Sequence, residues 1–211
     1  LSGNVIMNIG DGVSARYYNP GDKVPANYQL LLTFKDESFL VFTVAMYGFI
    51  SAYPDAVIDN KYYTISRESI SPLSDAYTEA EFGKLFASAK KTLTAKALLA
   101  TEQRIPGVGN GVTQDILFNA GIHPKQKVFD LSDGQKGVLF KSLKDTLMAM
   151  TSGRGRDTQT DLYGNEGGYK TILSSKTWKN PCPRCGSVIV KEAYLGGSVY
   201  YCSECQKIRK T

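Results

Sequence analysis

Residues 94–124 read TAKALLATEQRIPGVGNGVTQDILFNAGIHP, two apolar helical stretches around a glycine-rich turn, and this stretch decides the fold. A short helix is predicted over Thr94–Thr101. Pro106-Gly107-Val108-Gly109-Asn110-Gly111 makes the turn, Asn110 caps the next helix, Gly121 ends it, and Pro124 blocks its continuation. The three glycines permit a tight backbone and leave N–H groups uncovered. The helix that starts at Asn110 points its positive end out of the turn, so the segment suits a phosphate. It is not a dinucleotide fingerprint, because a helix rather than a strand precedes it. Nor is it a P-loop, which would need a following Lys-Ser/Thr.

Working outward, Thr78-Glu79-Ala80-Glu81 reads as a capping box for a helix to about Lys91. Ser132 and Gln135 form a second box, opening a helix through Met150 that Gly153 closes. Val138, Leu139, Leu143, Leu147 and Met150 make its apolar face. In front, residues 1–53 read as strands: Val5, Met7 and Ile9 alternate with polar or small residues, and Tyr28–Phe34 and Phe39–Val44 flank a turn at Asp36-Glu37. Residues 54–77 carry little period and read as a linker. Residues 151–169, rich in Gly, Thr, Arg and Asp, read as a mobile loop, and 187–202 as two strands around Gly196-Gly197. His123, the single histidine, has no partner for proton transfer and reads as local structure.

All four cysteines lie in the tail, as Cys182-x2-Cys185 and Cys202-x2-Cys205. Each CxxC makes a knuckle that aims two thiolates at one point, and two knuckles close the tetrahedron that Zn²⁺ takes in structural sites. Four sulfurs leave no open position for water, so the metal is expected to be structural. It would supply on the order of 10 kcal/mol to a segment too small to fold alone. A secreted disulfide framework would spread its cysteines along the chain. The same tail is basic: residues 170–211 hold 8 Lys/Arg against 2 Asp/Glu, whereas residues 1–80 hold 5 against 9. A basic face beside a metal hairpin points to a polyanion partner. No stretch reaches the roughly 18 apolar residues of a membrane span.

These segments carry a resemblance. Lys96 to Pro124, with Gly107-Val108-Gly109-Asn110 and Ala120-Gly121-Ile122-His123-Pro124, resembles the helix–two-turn–helix of formamidopyrimidine-DNA glycosylases and endonuclease VIII. Tyr163-Gly164-Asn165-Glu166-Gly167 resembles the segment ahead of that family's zinc finger, and Cys202-Ser203-Glu204-Cys205-Gln206 its closing CxxCQ. Roughly a dozen extra residues precede Cys182. The resemblance implies base excision repair: a DNA glycosylase/AP lyase that flips an oxidised base from duplex DNA, cuts its glycosidic bond and nicks the strand. It implies that Asn110 and Lys96 hold backbone phosphates, with Gly107 and Gly109 donating N–H groups beside them. It further implies that residues 152–169 close over the flipped base.

The family's catalytic Pro-Glu start and its catalytic lysine have no counterpart here. The chain is therefore expected to be the DNA-binding part of a longer enzyme, inactive alone, with no catalytic residue of its own. The finger arginine of the family falls at Gly197, and its Arg-Arg-Phe gap-filling segment at Ala45-Met46-Tyr47, leaving Tyr47 as the wedge. The alternative reading is a non-catalytic zinc protein that binds damaged DNA; a third is an unrelated zinc ribbon.

The expected fold is α+β, with a β-rich, sandwich-like part over 1–60, a hinge over 61–77, a helical helix–two-turn–helix domain with its lesion loop over 78–169, and a zinc-ribbon hairpin over 170–211. The protein is expected to act as a monomer on damaged double-stranded DNA, away from membranes, in a bacterial-type cytoplasm associated with the nucleoid.

Overall fold

The computed structural model describes residues 4–45, 48–54 and 58–209. The chain divides into two compact units: Leu1–Thr64 with Gln159–Gly167, and Ile65–Thr158 with Gly168–Thr211. No helix among the described residues is long and apolar enough to cross a membrane.

The first unit is built from two small antiparallel sheets. β1 (Val5–Ile9) pairs with β5 (Ile50–Pro54), while β4 (Phe39–Val44) lies between β2 (Val13–Tyr18) and β3 (Leu30–Thr33). As the central strand, β4 carries the buried residues Phe39, Val41 and Phe42, and Tyr18 stacks on Phe39 at 5.0 Å. The turn before β4 forms where the sequence places it. Glu37 adopts φ 66°, and the Asp36 carboxylate accepts from both the backbone N–H and the hydroxyl of Ser38. Those hydrogen bonds hold the Asp36 carboxyl below the usual range. Residues 159–167, assigned from sequence to the helical domain, pack instead on β2. The Tyr17 N–H donates to the Leu162 carbonyl at 2.8 Å, and the rings of Tyr17 and Tyr163 meet edge to face.

The stretch 61–77, expected to be a hinge, contains a helix, α1 (Lys61–Glu68). Asn60 opens it, its side-chain oxygen accepting from the N–H groups of Tyr62 and Tyr63. None of its residues is buried, and eight residues are too few for an apolar period to stand out.

The second unit holds α2 (Glu79–Ala87), α3 (Ala95–Ala100), α4 (Asn110–Ala120), α5 (Asp133–Ser152) and the hairpin β6 (Ile189–Tyr194) and β7 (Gly197–Cys202). Thr78 and Thr94 accept from backbone N–H groups at the starts of α2 and α3, and the Ser132–Gln135 capping box is complete. Gly121 ends α4 in the left-handed conformation, which its missing Cβ allows. One core joins all four helices: Phe82, Leu98, Leu99, Ile105, Ile116, Leu117, Leu139 and Leu143 are each no more than 1% exposed. Each large aliphatic side chain buried in this way contributes roughly 1.5–3 kcal/mol. Val138, expected on the buried face of α5, is 52% exposed, whereas Leu139, Leu143, Leu147 and Met150 face inward.

Arg104 closes the C-terminal end of α3. Its guanidinium donates to the carbonyls of Ala97 and Thr101 and to the Thr101 hydroxyl, filling acceptors that the helix end leaves open. The hairpin turns at Leu195-Gly196, both at positive φ, so Tyr194 pairs with Gly197. The turn thus falls one residue earlier than the glycine pair suggested.

Candidate nucleic-acid interface

The cysteines come together as the spacing requires. The sulfurs of Cys182 and Cys205 lie 3.8 Å apart, those of Cys185 and Cys202 3.4 Å apart, and all four within 4.8 Å of one another. A tetrahedron of thiolates around zinc at about 2.3 Å has sulfurs roughly 3.8 Å apart, so the cluster fits a four-coordinate cation. Hydrogen bonds from Ser187 bring the Cys185 thiol down to about 6. Burial and the other three sulfurs push Cys205 up to about 12. A bound cation would let all four ionise together.

The finger does not stand apart as a domain of its own. Phe118 of α4 shares a core with Leu173, Cys182, Ile189, Tyr200 and Cys202. Three buried glutamines reinforce this joint by bonding as backbone would. Gln114 donates to the Ser198 carbonyl at 3.0 Å and accepts from the Tyr200 N–H at 3.2 Å. Gln206 accepts from the Cys202 N–H and donates to the Ile122 carbonyl. Gln126 pairs in both directions with the backbone of Arg209. Asp115, 0% exposed, accepts from the N–H groups of Ile172 and Leu173 at 3.0 and 2.8 Å. Sequence reasoning missed all four. The one available signal was polar residues inside the apolar run of α4, where Gln114 and Asp115 directly precede Ile116-Leu117-Phe118.

Asn110 is the first residue of α4 rather than its cap. Gly109 takes the cap position without a side-chain hydrogen bond, which frees the Asn110 amide to donate to the Ser198 carbonyl of the hairpin at 3.2 Å. Gly197 permits the approach: a Cβ there would begin 3.2 Å from the Asn110 amide nitrogen. The helix start and the hairpin turn therefore form one surface. Gly107 sits at φ 79°, and among the described residues a Cβ at Gly107 or Gly109 would meet nothing within 4 Å, so the backbone at these two glycines is open to approach, whereas the Val108 N–H donates to the Ile105 carbonyl.

Lys96 is placed differently from the sequence expectation. It is 2% exposed, its ammonium donates to the Tyr194 carbonyl, and it lies 5.6 Å from the centre of the Tyr194 ring. It ties α3 to β6 instead of reaching solvent, and burial pulls its pKa down. Tyr47 lies outside the described residues. His123 is buried, accepts from the Lys125 N–H and packs on Tyr201, a structural role. Among the basic side chains of the finger, Arg184 lies over Phe118, and Lys179 and Lys191 over Trp178. In each case the charged group itself sits over the ring.

No family model matches the chain. Comparison with individual proteins does find relatives. Formamidopyrimidine-DNA glycosylase of Listeria innocua is 29% identical over 203 residues, 91% of this chain and 71% of its own length. That of Carboxydothermus hydrogenoformans is 31% identical over 139 residues, 64% of this chain. The chain is similar in sequence to formamidopyrimidine-DNA glycosylases over most of its length. It spans about half the length of the curated relatives first matched, 52% and 50% for the enzymes of Carboxydothermus hydrogenoformans and Roseiflexus. Solved formamidopyrimidine-DNA glycosylases share the fold. Lactococcus lactis Fpg, in complex with DNA containing an abasic site, superposes with a TM-score of 0.77 at 20% identity, over 96% of this chain and 74% of that one. The Thermus thermophilus MutM (Fpg) protein gives 0.78 at 22% identity, over 99% of this chain and 78% of its own.

Proposed function

We propose that this chain supplies the duplex-gripping part of a base excision repair enzyme, a DNA glycosylase with AP lyase activity directed at oxidised bases. The grip is the joined surface of the α4 start and the metal hairpin, acting as a monomer on damaged double-stranded DNA, in the nucleoid of a bacterial-type cytoplasm. The ion we assign to the four cysteines is structural Zn²⁺. The observation that carries the reading is the hydrogen bond from Asn110 to Ser198, which fixes a helix N-terminus beside the hairpin of a basic tail so that both can hold one phosphodiester strand. The Asn110 side chain and the N–H groups of the glycine turn are assigned to that strand. Lys96 acts on it indirectly, by holding Tyr194.

The test is a gel shift of the metal-loaded chain with two duplexes of one sequence, one carrying an abasic-site analogue. Tighter binding to the abasic duplex is expected. Equal affinity for both would favour an unrelated zinc ribbon and overturn the reading. Borohydride trapping with the full-length gene product tests the lyase assignment.

Gly109→Ala sharpens the placement of the strand. The new methyl meets nothing in the free protein, so stability should fall by about 1 kcal/mol or less, the cost of alanine at a helix cap. Duplex affinity should fall much further, on the order of tenfold, because the methyl stands between the N–H groups and the phosphate. Titration by fluorescence anisotropy checks this. Unchanged affinity would move the strand away from the turn.

A further inference from the structure

Beside the start of α4 lies a cavity of about 190 Å³, bounded by Asn110 and Gly111 of α4, Arg156 and Thr158 of the following loop, Ser174, and Ser198 of the hairpin. It is smaller than the roughly 300 Å³ at which small-molecule pockets begin, so it suits a group rather than a whole ligand. Arg156 dominates it. A Cβ on Gly111 would lie 2.7 Å from the guanidinium carbon, so the guanidinium rests against the second residue of α4 and a side chain there would displace it.

The N-terminus of α4 carries a partial positive charge, and its cap residue, Gly109, offers no side-chain acceptor. A fixed cation is held against that end. The charged and titratable groups facing Arg156 are Asp115, Asp157 and Tyr169. Asp115 accepts from Ile172, Leu173 and Tyr169. Asp157 accepts from Thr171 and lies near Lys170. Both carboxylates receive their hydrogen bonds from elsewhere, while their charges still face Arg156. Among the described residues, Nε of Arg156 and the hydroxyl of Thr158 are buried with no hydrogen-bond partner. The guanidinium and the helix end thus border one small, partly polar cavity, a setting that favours an oxyanion.

We infer that Arg156 is a phosphodiester ligand: its guanidinium and the first turn of α4 together hold one backbone phosphate of the DNA strand in this cavity. The inference rests on the duplex-binding reading above and names a contact which that reading does not contain. Gly197 leaves the hairpin without a cation at this point, and Arg156 supplies one from the opposite wall. Its planar fork matches two phosphate oxygens, whereas a lysine would offer a point charge.

The test measures the affinity of the metal-loaded chain for the abasic duplex across a potassium chloride series. Arg156→Gln should lose on the order of tenfold in affinity on every duplex sequence, and the slope of log K against log salt should fall by about one. Arg156→Lys should keep the slope and recover only part of the affinity. Thr158→Val should weaken binding without changing the slope, and guards against a misfolded Arg156 variant. A wild type that binds while Arg156→Gln matches it in affinity and slope overturns the Arg156 assignment alone. A wild type that binds no duplex overturns both readings. Inorganic phosphate at matched ionic strength should leave the melting temperature unchanged; a rise in wild type that Arg156→Gln lacks would make this a free-phosphate site and overturn the strand assignment.

Discussion

Excess chelator, or Cys202→Ser, should abolish duplex binding while leaving most of the helical circular-dichroism signal in place. The two halves of that result have separate causes. Cys182 and Cys202 are buried in the core that Phe118 of α4 shares with Ile189 and Tyr200. Removing the ion withdraws on the order of 10 kcal/mol from a hairpin with little apolar surface of its own. When β6 and β7 melt, the carbonyl of Ser198 and the N–H of Tyr200 no longer hold Asn110 and Gln114. The helical core, built on Leu98, Leu99, Ile116, Leu139 and Leu143, contains no cysteine and should persist. Anisotropy titration and far-ultraviolet circular dichroism on one sample read both. Undiminished affinity after metal removal would refute the docking role of the hairpin.

Asp115→Ala should destabilise the second unit by about 3–5 kcal/mol, the usual cost of breaking a buried charged contact from one side. The change strands the N–H groups of Ile172 and Leu173, which the carboxylate now receives at 3.0 and 2.8 Å. It also leaves Arg156 facing α4 without its nearest buried counter-charge. Asp115→Asn keeps the shape and one acceptor oxygen, so it should cost less than half as much.

The pH dependence has a definite sign. Burial raises the Asp115 carboxyl above its ordinary 3.8, against the pull of the Ile172, Leu173 and Tyr169 hydrogen bonds and of Arg156. The folded state then holds its proton more tightly than the unfolded state. This group's contribution is fully present below 3.8 and is lost as pH rises through the higher folded value. Subtracting the Asp115→Asn profile from wild type in urea melts isolates it; a difference that grows with pH would contradict the assignment.

The helices with side-chain caps were legible in the sequence because a cap and an apolar period specify the same element twice. Thr78, Thr94 and Ser132 show this, and the CxxC pairs are as direct, since metal geometry constrains spacing. α1 was illegible because eight residues are too few for an apolar period to stand out. Asn110 was misplaced by one position because asparagine suits a cap, yet here glycine takes the cap and frees the amide for the hairpin. The resemblance implies a phosphate-holding Lys96; its burial depends on Tyr194, almost a hundred residues away, which no local pattern reports. The merging of finger and helices into one unit rests on Gln114, Asp115, Gln126 and Gln206, residue types that are ordinarily solvated.

Those three glutamines bear on how the hairpin could be exchanged. Each is a rigid spacer of fixed length, matched at one end to a helix or its following turn and at the other to a specific backbone group of the finger or tail. A ribbon transplanted from another protein would bring its cysteines and its ion, but no sockets at the right heights. Swapping this module therefore means moving both faces of the seam at once, and variation in the finger is coupled to variation along α4 and its exit turn.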